Sequence, residues 1–295
     1  NLSILRDDVR CVTVEHLHGC DVVTDFSGMS NDPSCDIDTD LSRSINRDGS
    51  IRLATLAKQS GIRRYFFSSS CSVYGACQDA LVTDQSPAAP QSLYAQLKRE
   101  VEEELLGLND ADFNVTIFRT ATCFGLSRRM RFDLAVNLMT LDALSKGTIT
   151  ITGGGNQWRP FVHIKDVCAL YEKALRLKRE LIAGQIYNLG FDELNYTITT
   201  LALLVKDVFS GTVIHYAPGD MERRSYKTSF AKLQNTFQLT PLNGIRDGIF
   251  ELKDALLNGS VSDTPQTRTA PYYRHLIEAE NVVNALSLGG SLLHV

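Results

Sequence analysis

Between residues 20 and 125, short apolar runs alternate with helical stretches, and this alternation constrains the chain most. "CDVVTDF" (20–26) is an apolar run that closes on Ser27 and Gly28. "DLSRSINRDGSIRLATLAKQSG" (40–61) follows, with Ile45, Leu53, Leu56 and Ala57 near helical spacing and Gly61 as a stop. "RRYFFSSS" (63–70) reads as the next strand. "SLYAQLKREVEEELLGL" (92–108) places Leu93, Leu97, Val101, Leu105 and Leu108 at three- and four-residue steps, giving one apolar helix face. "NVTIFRTATCFG" (114–125) is another strand and turn. A β-α-β-α-β order predicts an α/β fold, a doubly wound parallel sheet with helices on both faces. Such sheets take ligands beyond the carboxyl ends of their strands, where the serines of "RRYFFSSS" lie.

After Gly125 the pattern is less regular. Helices are expected over 131–147, 196–211, 225–241 and 244–259, short strands at 148–155 and 184–190, and a strand followed by a helix over 159–175. We therefore expect a Rossmann-type domain over 1–126, to which 159–183 returns. A smaller α/β substrate-binding domain takes 127–158 and 184–258, and 259–295 is a linker and an amphipathic helix.

Composition narrows the class. Among 295 residues, 43% are hydrophobic and 22% charged, with a net charge of −4, as in ordinary globular proteins. No apolar run approaches the roughly 20 residues of a membrane span, and the charge gives no reason to expect nucleic acid. The seven cysteines are scattered and the six histidines show no ligand spacing, so no metal is expected, and a reduced, cytoplasmic protein is. "VRCVTV" and "CDVVTDF" read as two strands only a few residues apart, too close for a parallel crossover. We expect this stretch to be abbreviated and residues to precede Asn1.

Tyr94 and Lys98 lie four apart on the 92–108 helix and so share a face. Alone, the pair reads more readily as a surface contact than as a functional one. It starts a helix one βα step after the strand that ends in serines, so hydroxyl, phenol and ammonium are expected together at the carboxyl edge of the sheet. A phenol with a pKa of about 10 is a poor base at neutral pH. A nearby ammonium favours its phenolate; lowering that pKa by roughly three units needs about 4 kcal/mol. A serine would then orient a substrate oxygen, the phenolate would take its proton, and a nicotinamide would accept hydride.

With these residues, "DVVTDFSGMS" (21–30), "INRDGS" (45–50), "FFSSSCSVYG" (66–75), "YAQLK" (94–98), "FRTATCFGLSRRMRFDLAVN" (118–137), "GGGNQWRPFVHIKDV" (153–167), "YNLG" (187–190) and "RSYKTSFAKL" (224–233) follow in order. The chain resembles the extended short-chain dehydrogenase/reductases, specifically the NAD-dependent epimerase/dehydratase group acting on nucleotide sugars. By position, the resemblance implies Tyr94 as acid/base, Lys98 as its partner and ribose ligand, and Ser70 and Ser72 as substrate-facing hydroxyls. It implies Phe26, Ser27, Gly28, Asn46 and Ser68 beside NAD, with NADP also open. Thr122, Asn137, Arg159 and Arg224 would bind a nucleotide-diphosphate sugar. Asn46 reads equally as a helix amide bonding a neighbouring loop, and either arginine as a surface charge. Cys71 and His163 read as structural, and "SRRMR" (127–131) as a solvated or loop-anchoring run. The resemblance also implies a homodimer using the 94–108 helix.

Two departures narrow the reaction. The family's glycine-rich first turn, whose amides cradle pyrophosphate, is absent, and "GGG" (153–155) is no substitute. Dehydratases and decarboxylases of the group carry acids before Val-Tyr-Gly, where this chain has Cys71-Ser72. We therefore expect a 4-epimerase, with a 4-ketoreductase or a non-catalytic dinucleotide sensor as alternatives. Thr122 stands where the family often has Asn, which leaves the sugar open.

Overall fold

Apolar residues on both sides of a strand require cover on both faces of the sheet, and the strand over 64–70 shows this directly. In the computed structural model, which describes residues 2–75, 77, 81–218 and 224–287, Tyr65 and Phe67 enter one core cluster and Phe66 the other. The first part of the chain contains β1 (Val22–Asp25), α1 (Asp32–Cys35), α2 (Thr39–Arg43), a π-helical segment (Ser44–Gly49), α3 (Ser50–Gln59) and β2 (Arg64–Ser70). Then come β3 (Leu81–Val82), α4 (Leu93–Leu108), β4 (Asn114–Thr120) and β5 (Thr122–Phe124). The rest comprises α5 (Ala135–Lys146), β6 (Thr148–Ile151), β7 (Trp158–His163), α6 (Ile164–Arg176), β8 (Gln185–Leu189), β9 (Asn195–Thr197), α7 (Ile198–Val208), β10 (Val213–Tyr216), β11 (Lys227–Thr228), α8 (Ala231–Phe237), α9 (Ile245–Leu257) and α10 (Thr269–Leu286).

The main sheet has the order β1-β2-β4-β8, all parallel. Val23, Tyr65, Phe67, Val115 and Ile117 pack with α3 and α4 residues on one face. Phe66, Phe118 and Tyr187 pack with Leu170, Tyr171 and Ala174 of α6 on the other. Burial on both faces is the reason these strands read as nearly continuous apolar runs. One expected boundary moves. β8 lies in the 184–258 segment assigned to substrate binding, yet it pairs with β4 and completes the main sheet, because its Tyr187 and Leu189 are needed in that core.

Two further differences are local. The single helix expected over 40–61 is α2, the π segment and α3; Ser42 and Asn46 turn inward there to bond Cys35 and Met29. The strand expected at "VRCVTV" is instead a 3₁₀ turn, Val9–Cys11, followed by irregular chain, with a second 3₁₀ turn just after it at Glu15–Leu17. Beyond the main sheet, β5-β7-β9 and the pair β6-β10 carry α5, α7 and α9. Thr197 caps α7, its side chain accepting from the Thr200 amide at 3.1 Å. The expected C-terminal helix is α10; residues 288–295 of that segment lie outside the described residues. No helix among the described residues is long and apolar enough to cross a membrane.

Candidate active site

The carboxyl ends of β1 and β2, the start of α4 and the turn after β4 surround a cavity of about 560 Å³, a size suited to small-molecule ligands. Of the residues expected at the site, Phe26, Ser27, Gly28, Ser68, Ser70, Ser72, Tyr94, Lys98, Thr122, Arg159 and Arg224 all line it. β1 delivers the first three: Asp25 accepts from the Ser27 amide and hydroxyl at 2.8 and 2.6 Å, which bends the chain into the cavity. Gly28 has φ 133°, and a Cβ there would lie 3.0 Å from Asn46 Oδ1, so only glycine fits this turn. Phe26 is 61% exposed and meets Tyr171 edge-on at 4.8 Å.

β2 supplies the serines. Ser70 caps the 3₁₀ turn Cys71–Tyr74, its hydroxyl accepting from the Ser72 amide at 3.2 Å. The Ser72 hydroxyl is a buried polar atom with no hydrogen-bond partner among the described residues; such an atom beside a cavity is suited to a ligand. Cys71 points away, donating to the Arg119 carbonyl at 3.1 Å, and burial pushes its thiol up to about 12.

Ser92 caps α4 through the Ala95 amide at 3.3 Å, and one turn of helix brings Tyr94 and Lys98 to the cavity. Lys98 Nζ donates to the Ser68 carbonyl at 2.8 Å and lies 4.5 Å from the Phe67 ring centroid and 6.0 Å from that of Tyr94. Burial pushes the Tyr94 phenol up to about 12, with Arg131 and a hydrogen bond from Ser70 opposing the rise. The lowering expected from Lys98 is therefore not present in the chain by itself. Burial likewise draws Lys98 below its ordinary value, against Asp25 and other anionic neighbours.

Asn46 and Asn137 do not line the cavity. Asn46 is fully buried and clamps the Gly28–Met29 turn, accepting from the Met29 amide at 2.6 Å and donating to its carbonyl at 2.9 Å. Asn137 accepts from the Gly125 amide at 3.1 Å and donates to the Arg131 carbonyl at 3.1 Å, so it holds a loop that does reach the cavity. Arg131 corrects the reading of "SRRMR": Arg128 and Arg129 are exposed, but Arg131 lines the cavity, bound to Asp133 at 2.7 Å. Sequence reasoning also missed Asp133, which accepts from Asn31 at 2.5 Å. It missed Asp32, which accepts from Ser92 at 2.6 Å and pairs with Arg224. Arg159 bonds the Arg224 carbonyl and lies 5.6 Å from the Tyr226 ring. Among the described residues, the cavity carries four cations, Lys98, Arg131, Arg159 and Arg224, against two carboxylates, Asp32 and Asp133.

His163 lies outside this cavity, 1% exposed, its Nε2 3.0 Å from Glu251 Oε2. Among the described residues, no group of three or more His, Cys, Asp and Glu is placed to hold a metal ion.

Residues 3–190 match the NAD dependent epimerase/dehydratase family. The chain belongs to that family. It is 28% identical to the UDP-glucose 4-epimerase of Bacillus subtilis over 203 residues, covering 63% of this chain and 59% of that one. It is 26% identical to the low-salt glycan biosynthesis protein Agl12 of Haloferax volcanii over 147 residues, 50% of this chain and 46% of that one. The chain thus spans about half to three fifths of the curated relatives it matches. Among solved structures, MoeE5 in complex with UDP-glucuronic acid and NAD superposes with a TM-score of 0.77 at 21% identity, covering 87% of this chain and 86% of that one. The UDP-glucuronic acid 4-epimerase of Bacillus cereus gives 0.74 at 23%, covering 85% and 82%. TunA, an NDP-hexosamine 5,6-dehydratase, gives 0.76 at 18%, covering 88% and 83%. These likenesses establish the fold, a Rossmann-type α/β architecture.

Proposed function

We propose that this protein is an NAD-dependent nucleotide-sugar epimerase acting by transient oxidation at the sugar's C4. The observation that carries the reading is the convergence of Ser70, Tyr94 and Lys98 at one end of a cavity whose rim holds Arg131, Arg159 and Arg224. Among the described residues, an excess of two positive charges in that cavity matches the charge of a sugar-linked diphosphate, which guanidinium groups bind through paired hydrogen bonds. Relatives named as UDP-glucose 4-epimerases, and the fold shared with structures holding UDP-sugars and NAD, support the same reading.

The residues present fit the nicotinamide end of the cofactor. The Phe26–Gly28 turn and Ser68 form one wall; Lys98 spends one donor on the Ser68 carbonyl, which leaves ammonium hydrogens for ribose hydroxyls. No glycine-rich strand–turn–helix occurs among the described residues. NAD, when bound, supplies the hydride acceptor and a positive ring that favours the Tyr94 phenolate. The chain's own groups do the rest. Ser70 hydrogen-bonds the C4 oxygen, Tyr94 takes its proton on oxidation and returns it on reduction, and the unpartnered Ser72 hydroxyl bonds a neighbouring sugar oxygen. Neither Cys71 nor Ser72 can act as a carboxylate acid/base, which disfavours elimination and decarboxylation.

The test is turnover of a UDP-, dTDP- and GDP-sugar panel with catalytic NAD and no reductant. Interconversion of C4 epimers without net cofactor change is expected. Consumption of NAD(P)H in step with product would replace the epimerase with the ketoreductase, and binding without turnover would leave a dinucleotide sensor.

A further inference from the structure

The Ser69 hydroxyl, at the terminus of β2, is not used by the chemistry above. Three consecutive residues of β2 meet three residues of α4 spaced four apart on one helix face. Ser70 and Tyr94 line the same cavity, the Ser68 carbonyl takes Lys98 at 2.8 Å, and the Ser69 hydroxyl donates to Glu102 at 2.6 Å. Glu102 is fully buried. Arg119, 2% exposed, stands directly across the β2–β4 ladder from Ser69. It holds both carboxylate oxygens of Glu102, through Nε at 2.9 Å and Nη2 at 2.7 Å. Its other nitrogen donates to the Tyr74 hydroxyl at 3.0 Å, which donates in turn to Asn188 of β8 at 2.6 Å. Arg99 adds a bond to Glu102 at 3.1 Å from the solvent side.

A buried ion pair is a weak source of stability, because two apolar side chains of similar volume often serve as well or better. What this pair provides is position. It is bidentate, it ties α4 to β4, and its hydrogen bonds run on to Ser69 of β2 and, through Tyr74, to Asn188 of β8. An α-helix that slips by one residue turns its side chains by about 100° and moves them about 1.5 Å. Either displacement would take Tyr94 from Ser70 and Lys98 from Ser68.

We propose that Glu102 is a positioning residue for the acid/base pair: pinned by Ser69 and Arg119, it fixes the rotation and axial setting of α4 at which Tyr94 and Lys98 meet the end of β2. The proposal rests on the reading of Ser70, Tyr94 and Lys98 as the reacting set.

The test removes both buried charges together, as Glu102→Leu with Arg119→Met, so that no uncompensated ion is left inside. A melting temperature near the parent's, an unchanged KM and a kcat lower by about 100-fold are expected, the scale of an ångström misplacement at a reacting centre. Parent-level kcat in a variant of parent-level stability would overturn the proposal. A second readout needs no turnover: 3-fluorotyrosine incorporated at position 94 should give one ¹⁹F line in the parent and a shifted or divided line in the double variant. An unchanged line would overturn the positioning role even if no nucleotide sugar proves to be a substrate, a result that would overturn the functional reading separately. Should the double variant not fold, Ser69→Ala keeps the ion pair and removes one tether. A kcat lower by about tenfold at constant KM, with a displaced line, supports the role; parent values in both overturn it.

Discussion

The two ends of the cavity are built differently. At the inner end, Ser68–Ser72, Tyr94 and Lys98 sit on one strand terminus and one helix, fastened by backbone hydrogen bonds and the buried Glu102–Arg119 pair. At the rim, Arg131 and Arg224 come from loops and Arg159 from β7, far apart in sequence, and two of them are paired with carboxylates at the cavity itself. Those pairs are partly exposed, the Arg224–Asp32 side chains at 33% and 25%, where an ion pair contributes only about 0–1 kcal/mol. The inner end is therefore set before a ligand arrives, and the rim can exchange a carboxylate for a phosphate at small cost. On the function proposed above, the difference gives chemistry to one end and affinity to the other.

The sharpest way to break that division is Tyr94→Phe. Removing the hydroxyl should lower kcat by about a thousandfold, within the range for loss of a general acid/base, while KM and melting temperature stay near the parent's. A kcat that is unaffected would remove chemistry from the inner end. Arg159→Ala and Arg224→Ala should do the opposite, raising KM by about 30-fold each, the scale of one charged hydrogen bond, with kcat changed little and the effect weakening as salt rises. A fall in kcat alone in either variant would contradict the assignment of affinity to the rim.

Acid should also separate the two ends, through Glu251. Burial pushes its carboxyl up, but hydrogen bonds from Lys165, the Leu126 amide and His163 more than offset this and hold it below 4.5. A carboxylate lowered in the folded state adds stability that is present above about 4.5 and is lost as pH falls through the folded value. Glu251 anchors the start of the 126–131 loop through Leu126 at 3.0 Å, so protonation loosens the approach to Arg131 rather than the β2–α4 corner. Glu251→Gln should cost about 1 kcal/mol at neutral pH, one hydrogen bond's worth, and should flatten the decline below pH 4.5. An unchanged acid limb in unfolding titrations would refute this.

The inner end was legible in the sequence because regular elements carry it. A short apolar run ending in serines marks β2, and the four-residue step puts Tyr94 beside Lys98. The same step continues to Glu102, and this was the available signal for the buried glutamate; it was hidden in "KREVEEE", where neighbouring acids all read as surface. Asn46 and Asn137 were matched to the site by position, which says nothing of side-chain direction, and both turn instead to backbone groups. Asp32, Asp133 and Arg131 lie where no periodicity exists. Only the fold brings Asp32 and Arg224 together across nearly two hundred residues.

That long-range pair yields the smallest prediction and the most discriminating sign. If Asp32 serves as a stand-in anion for Arg224, its removal should strengthen ligand binding, unlike almost any other change in a binding site. Asp32→Asn keeps an oxygen to accept the Ser92 hydroxyl and so leaves the cap of α4 in place. It deletes only the charge that competes with a phosphate. With a partly exposed pair worth no more than about 1 kcal/mol, the gain should be about threefold in KM or in the Kd for a nucleoside diphosphate, and it should vanish in an Arg224→Ala background. Weaker binding in Asp32→Asn would mean that the carboxylate holds the ligand directly, and the rim would then be as fixed as the inner end.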